Sequence, residues 1–248
     1  MAPDAQPAGR LLVLIPAYNE EERLAEVIAG VRRIRPDAEI LVVDDCSRDR
    51  TGAVARRAGA RVVRHPINLG YGAGLLTGYR YADRCGFDRV VQLDGDGQHD
   101  ASGIPALLEA LDGPADLVIG SRFLKGSGRY RPSWMRAVGM WIFARVASAT
   151  LGRPITDPTS GFQALSGRLI RFHARGNHFP QDYPDADMLI LVGRNGFTIR
   201  EIPVTMFEKP GGASIHSGLR PLYYVVKMTL SILLILSGAR RTAGKEAT

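Results

Sequence analysis

At 248 residues, 45% hydrophobic and 23% charged, the chain can bury one sizeable α/β core, and two cysteines exclude a disulfide framework or a metal knuckle and suggest a reducing compartment. Its 28 glycines and 15 prolines are ordinary for a loop-rich α/β enzyme, and no repeat or low-complexity tract interrupts it. The formal charge of +7 favours anionic partners: nucleotide diphosphates, lipid phosphates, an anionic membrane surface or nucleic acid.

Residues 1–10, MAPDAQPAGR, carry an acidic residue and no apolar core, so they read as a flexible end, neither a secretory signal nor a membrane anchor. A cytoplasmic protein is expected. Leu11 to Ile15 is a short apolar strand closed by Pro16, and Glu20 to Ile34 shows helical spacing with acidic residues in its first turn. Between them lies PAYNEE, where a dinucleotide-binding domain would place its glycine-rich turn, which weakens a dehydrogenase reading. Pro16 fixes the strand exit, Tyr18 offers a flat face and a hydroxyl, and Glu20 can accept from a base or ribose. A plain helix cap is the alternative.

Glu39 to Val43 is the next strand, Asp49 to Ala58 a helix, and Ala60 to Arg64 another strand. In VVDDCSRD, Asp44 and Asp45 leave the strand where carboxylates accept from ribose hydroxyls or base N–H groups, while Ser47 and Asp49 suit capping. NLGYGAG, from Asn68 to Gly74, leads into a helix from Gly72 to Arg84. Its glycines miss the G-x-G-x-x-G spacing, and a tight turn with close helix packing competes with backbone approach to an anion.

Arg89 to Leu93 is a buried strand running into VVQLDGDGQHD. Asp94 and Asp96, separated by glycine, can converge on one hard divalent cation, with room for a diphosphate to complete its shell and Gln98 adding a carbonyl or a water-mediated contact. A calcium EF-hand fails, because His99 stands where glycine is required and Pro105 where the terminal Glu should be. A helix from Ser102 to Leu111 and a strand from Asp116 to Ile119 complete a parallel sheet with helices on both faces, whose ligands belong at the carboxyl ends of the strands.

After Ser121 the rhythm breaks into a basic loop with Arg129, Arg131 and Arg136, a helix near Pro132 to Leu151, and a less regular half with a strand near Phe197 to Thr205. This half is expected to build the acceptor side, its arginines gripping an anionic acceptor or merely facing solvent. Near the end, LYYVVKMTLSILLILS is apolar but contains Lys227, and is too short to span a bilayer, which needs about 20 residues. An interfacial helix, a core helix or a partner-docking surface are the readings.

PAYNEE, VVDDCSRD, NLGYGAG, LDGDGQHD, GSRF and DPTSGF stand in the order seen in family 2 glycosyltransferases, and the chain resembles the dolichyl- or polyprenyl-phosphate mannose and glucose synthase branch from about Leu11 to Leu236. The resemblance implies a GT-A fold, Rossmann-like with a mostly parallel sheet, a GDP- or UDP-sugar donor, Mg or Mn, and inversion at the anomeric carbon. It would place the nucleoside on Pro16, Tyr18, Glu20, Asp44 and Asp45, the metal and diphosphate on Asp94, Asp96 and Gln98, and a phosphate contact on Arg122. Transfer to polyprenyl phosphate follows, with Arg131 and Arg136 as acceptor-phosphate residues. The alternatives are a glycan or small-molecule hydroxyl acceptor, or a non-catalytic adaptor.

Negative charge accumulates on the departing diphosphate, which Arg122 would stabilise. A phosphate acceptor, with a second pKa of about 6, needs no general base, whereas a hydroxyl does. Asp157, before TSGF, ranks first as a base; Asp182, Asp185 and Asp187 are also near a helix start and cap for structural reasons, and His99 and His216 read as packing or surface residues. Residues 11–217 are expected as the catalytic domain, 218–238 as an apolar interfacial or docking helix, and 239–248 as a flexible basic tail. The protein should lie at the inner face of the membrane, on its surface or on a small membrane-protein partner, without nucleic acid, since no nucleic-acid motif is present.

Overall fold

Successive strand residues bury towards opposite sides, which commits the chain to a sheet covered on both faces. The computed structural model describes residues 9–128, 134–176, 179–180, 184–207, 228–235 and 237. Among these, seven strands form one sheet: β1 (Leu11–Ala17), β2 (Glu39–Asp44), β3 (Arg61–Arg64), β4 (Arg89–Gln92), β5 (Leu117–Ser121), β6 (Gln163–Ser166) and β7 (Ile199–Pro203). Their order is β3-β2-β1-β4-β6-β5-β7, parallel throughout except for β6, which runs antiparallel to β4 and β5.

The helices are α1 (Leu24–Ile34), α2 (Thr51–Arg57), α3 (Tyr71–Arg84), α4 (Ile104–Leu111), α5 (Trp134–Leu151), α6 (Gly167–Arg175) and α7 (Ala186–Arg194), and residues 228–235 are also helical. Leu12, Leu14, Leu41, Val43, Val90 and Ile119 face the core shared with α3, α6 and α7. Their neighbours Val13, Ile15, Ile40, Val42, Val91 and Val118 face the core of α1 and α4. Each such fully buried aliphatic side chain contributes about 1.5–3 kcal/mol.

Glycine sets how closely α3 lies on the sheet. A Cβ at Gly78 would run into the Leu14 side chain, and one at Gly74 would stand 3.4 Å from Pro16 Cβ. The glycine run of NLGYGAG therefore seats the helix directly over β1. Met228, Ile232 and Ile235 join the α3 side of the core, while Leu230, Leu233 and Leu234 stay exposed.

The sequence reading and the structure part in the second half. β6 and α6 are absent from it, because QALS is four residues long with a single large apolar side chain. α1 begins at Leu24, four residues later than the pattern of acidic residues suggests; residues 21–23 form a turn, with Arg23 N and Leu24 N donating to Glu20 O.

Candidate active site

The strand order changes direction between β1 and β4, and in open α/β sheets that switch point opens a crevice at the carboxyl edge. PAYNEE leaves β1 there and the DGDGQH loop leaves β4. Because β6 is antiparallel, its first residue, Gln163, lies level with Gln92 of β4 and Ile119 of β5. The segment 155–162 is thereby delivered to the same edge.

The first two loops are laced together by short hydrogen bonds. Asn19 N donates to Ser47 Oγ (3.0 Å), Glu20 N to Thr51 Oγ1 (2.8 Å), Glu21 N to Asp49 Oδ2 (3.1 Å) and Arg48 N to Asn19 Oδ1 (2.8 Å). Asn19 and Cys46 adopt positive φ, 56° and 62°, a left-handed backbone that L-residues enter at a cost and that this lacing holds. Ser47 and Asp49 thus tie loop to loop, and Asp49 Oδ1 also takes Thr51 N (2.9 Å) at the start of α2.

The aspartate pair divides its work. Asp44 is fully buried: Oδ1 accepts from Ser47 N (2.9 Å), while Oδ2 has no hydrogen-bond partner among the described residues. Asp45 takes Leu69 N and Gly70 N, each at 2.8 Å, and pairs with His65 Nδ1 at 2.7 Å, whose Nε2 meets Thr77 Oγ1. The backbone N–H groups of NLGYGAG are therefore aimed at a carboxylate of this chain. Pro16, one residue before the end of β1, lies under α3, and Tyr18, 42% exposed, follows the strand.

Asp94 is held from two sides, by Tyr71 Oη donating to Oδ1 (2.8 Å) and by His99 Nε2 at 3.0 Å from Oδ2. Burial raises the Asp94 pKa, but the His99 bond and charge, the Tyr71 bond and the Arg122 charge outweigh it, so the net shift is downward. Burial, then Asp94 itself, pushes the Tyr71 phenol well up, which keeps it a donor. His99 is 7% exposed, lies against Phe162 and bridges to Met206. Its packing role hides a contact to Asp94 that no sequence spacing announces. Asp96 Oδ1 accepts from Gln98 N (3.1 Å), and Gln98 O accepts from Phe207 N.

Hard carboxylate oxygens at Asp94 and Asp96, with Asp94 ionised, fit a divalent cation of the Mg or Mn type. Among the described residues no group of three or more His, Cys, Asp or Glu side chains converges on a metal site. Gly161 approaches this carboxylate closely: a Cβ there would lie 2.9 Å from Tyr71 Oη and 3.0 and 3.1 Å from the two Asp94 oxygens.

Arg122 and Asp157 meet each other. Arg122 N and Nε donate to Asp157 Oδ2 (2.9 and 2.7 Å) and Nη2 to Oδ1 (2.6 Å) and Thr159 Oγ1 (2.7 Å). The side chains are 8% and 0% exposed. Asp157 thus has both oxygens engaged by the Arg122 guanidinium and no contact with solvent. Asp187 is likewise turned inward, accepting from Ser231 Oγ (2.6 Å) and Met188 N. Asp185 stands at the start of α7. Arg129, Arg131, Asp182 and His216 lie outside the described residues, and of Arg136 only the backbone, in α5, is described.

Residues 12–177 match the family described as Glycosyl transferase family 2. The polyprenol monophosphomannose synthase of Mycolicibacterium smegmatis is 33% identical over 225 residues, 86% of this chain and 83% of that one. The undecaprenyl-phosphate mannosyltransferase of Micrococcus luteus is 33% identical over 220 residues (84% and 88%), and the dolichyl-phosphate hexose transferase of Haloferax volcanii 31% over 201 (81% and 84%). Among solved structures, glucosyl-3-phosphoglycerate synthase of Mycobacterium tuberculosis, in complex with Mn2+ and UDP-glucose, superposes with a TM-score of 0.65 at 21% identity, covering 92% of this chain and 78% of that one. The fold is that of GT-A glycosyltransferases.

Proposed function

This chain belongs to glycosyl transferase family 2, nucleotide-sugar-dependent hexosyltransferases among them, and we propose on that footing that it moves a hexose, with inversion, from a GDP- or UDP-sugar to a polyprenyl (dolichyl-type) phosphate. The observation that carries the choice of acceptor is the saturated Asp157. A hydroxyl acceptor needs a base, and the carboxylate best placed in sequence for that task is buried and ion-paired. A phosphate monoester, with a second pKa of about 6, arrives already nucleophilic at neutral pH. The named activities of the relatives point the same way.

In this reading an acceptor phosphate oxygen attacks the anomeric carbon while the bond from that carbon to the diphosphate oxygen breaks, its electron pair leaving with the diphosphate. Pro16, Tyr18, Glu20, Asp44 and Asp45 would hold the nucleoside, Asp45 while also accepting from Leu69 N and Gly70 N. Asp94, Asp96 and Gln98 would hold Mg2+ or Mn2+, which supplies Lewis-acid neutralisation of the leaving group. Arg122, fixed by Asp157, supplies a preorganised cation for the same charge, an effect worth about 10²–10³ in rate for one well-placed donor. Arg131 and Arg136 are assigned to the acceptor phosphate from sequence.

No helix among the described residues is long and apolar enough to cross a membrane. Two helices instead turn apolar side chains outward: Val138, Trp141 and Ile142 on α5, and Leu230, Leu233 and Leu234 on the helix at 228–235. Their inner faces share one core. We take the two outward stripes as the surface that rests on the cytoplasmic membrane face, where a lipid phosphate is presented, with residues 11–217 as the catalytic domain.

The test is transfer from GDP-mannose, UDP-glucose and related donors, with and without a short-chain polyprenyl phosphate, in Mn2+, Mg2+ or EDTA. Lipid-dependent product that EDTA abolishes and Mn2+ or Mg2+ restores supports the reading. Donor turnover indifferent to the lipid moves the acceptor to a hydroxyl, and silence with every donor in Mn2+ refutes the catalytic reading.

A further inference from the structure

We infer that Glu201 on β7 is a positioning residue for Arg122, setting the aim of its guanidinium through the turn at Thr156 and Asp157. The inference rests on the role proposed for Arg122 above. Glu201 sits mid-strand on the outermost strand, paired with Ile119 of β5 and sharing its face with Ile199, a core residue. An acid on that face is costly unless it is satisfied, and Glu201 is satisfied by one short piece of chain. Oε1 accepts from Thr156 N (3.0 Å) and Asp157 N (2.9 Å), and Oε2 from Thr156 N (2.8 Å) and Thr156 Oγ1 (2.9 Å).

Those bonds fix the peptide from which the Asp157 side chain departs, and that carboxylate holds Arg122 at three points: its own backbone N, Nε and Nη2. The same turn is pinned from the other side. Thr156 Oγ1 lies 2.7 Å from Ser121 Oγ, which also accepts from Phe123 N (3.1 Å), so the residues flanking Arg122 are tied to the turn as well. A strand residue far along the chain thus controls the chain of contacts Glu201, Thr156–Asp157, Arg122. Without its two oxygens, two backbone N–H groups lose their acceptors and the turn keeps only its ties to Ser121 and Arg122, which do not fix the Thr156–Asp157 peptide. A shift of about 1 Å at the guanidinium is enough to lose about a hundredfold in rate.

Glu201→Ala, Glu201→Gln, Arg122→Lys and the Glu201→Ala/Arg122→Lys double variant would be assayed for kcat and donor KM with GDP-mannose and UDP-glucose, alongside thermal midpoints. Glu201→Ala is expected to lower kcat by about 10–100-fold with donor KM changed less than about threefold, since ground-state binding is untouched. Glu201→Gln, which still places a carbonyl oxygen against Thr156 N and Asp157 N while its amide donates to Thr156 Oγ1, should recover most of the loss. In the Arg122→Lys background, Glu201→Ala should cost nothing further, because the contact it serves is already gone. Wild-type kcat in Glu201→Ala, or losses that multiply in the double variant, overturn the proposal while leaving Arg122 in place. Wild-type kcat in Arg122→Lys overturns the reading of Arg122 and this inference with it. If Glu201→Ala does not fold, Glu201→Asp replaces it: lost kcat at unchanged KM supports the positioning role, and wild-type kcat refutes it.

Discussion

Gly161→Ala separates the chemistry of the crevice from the stability of the fold. Gly161 is not among the glycines at positive φ, so alanine meets no backbone strain there. What it meets is Tyr71 Oη at 2.9 Å and the Asp94 oxygens at 3.0 and 3.1 Å. Ordinary carbon–oxygen contact begins at about 3.4 Å, so the carboxylate and phenol must retreat by roughly 0.3–0.5 Å, near the tolerance of a preorganised site. Both are ends of side chains, so the retreat should cost less than about 1 kcal/mol in folding. It should nonetheless cost about 10–100-fold in affinity for Mn2+ with a nucleoside diphosphate, the penalty usual for disturbing the support of a metal ligand. Calorimetric titration of Mn2+ into protein with GDP or UDP measures the loss, and urea unfolding measures stability. A variant that binds Mn2+ like wild type, at unchanged stability, would refute the assignment of Asp94 as a ligand held through this contact.

Three further outcomes follow from the packing. Gly78→Ala drives a methyl into the Leu14 side chain and lifts α3 from β1, so it should lower the unfolding free energy by about 1–3 kcal/mol in urea. At Asp116, burial raises the pKa but the Arg168 bond, the Thr198 N–H, Ser166 and the Arg168 charge lower it further, for a net depression. A carboxylate depressed in the folded state stabilises above its unfolded pKa of about 3.9 and loses that contribution as the pH falls through the lower folded value. The difference in thermal midpoint between wild type and Asp116→Asn should therefore be full at pH 7 and shrink below about pH 4; a constant difference across that range would contradict the assignment. Trp141→Glu combined with Leu233→Glu should reduce sedimentation with anionic vesicles, leaving Mn2+ and nucleotide binding at the crevice unchanged.

The donor half of the fold was legible because β1 and β2 carry long apolar runs with a helix behind each, and because PAYNEE, VVDDCSRD and LDGDGQHD fall at strand ends. The second half hid for physical reasons. β6 is four residues long and antiparallel, so neither length nor the βα rhythm marks it. Asp157 reads as an acid awaiting a proton because sequence shows residue types without partners, and its partner stands 35 positions earlier. The bonds Asp45 makes to backbone N–H groups of a loop more than 20 residues on are equally invisible in the sequence. Tyr71, His99, Gly161 and Glu201 act through contacts across the sheet edge, which no local pattern encodes.

The reversed strand has a consequence for how such an enzyme can be rebuilt. The excursion between Arg122 and Phe162 takes off from the end of β5 and lands at the start of β6, and those two points are sheet neighbours, Ile119 beside Gln163. Take-off and landing are fixed by hydrogen bonds to the scaffold, and between them Phe143 and Ala147 of α5 anchor the excursion in the core shared with α3, α6 and α7. This excursion can be exchanged between relatives with its borders at Phe123 and Ile155 only if the face of α5 that meets α7 travels with a matching partner. The loops at the ends of β1, β2 and β4 would remain where they were.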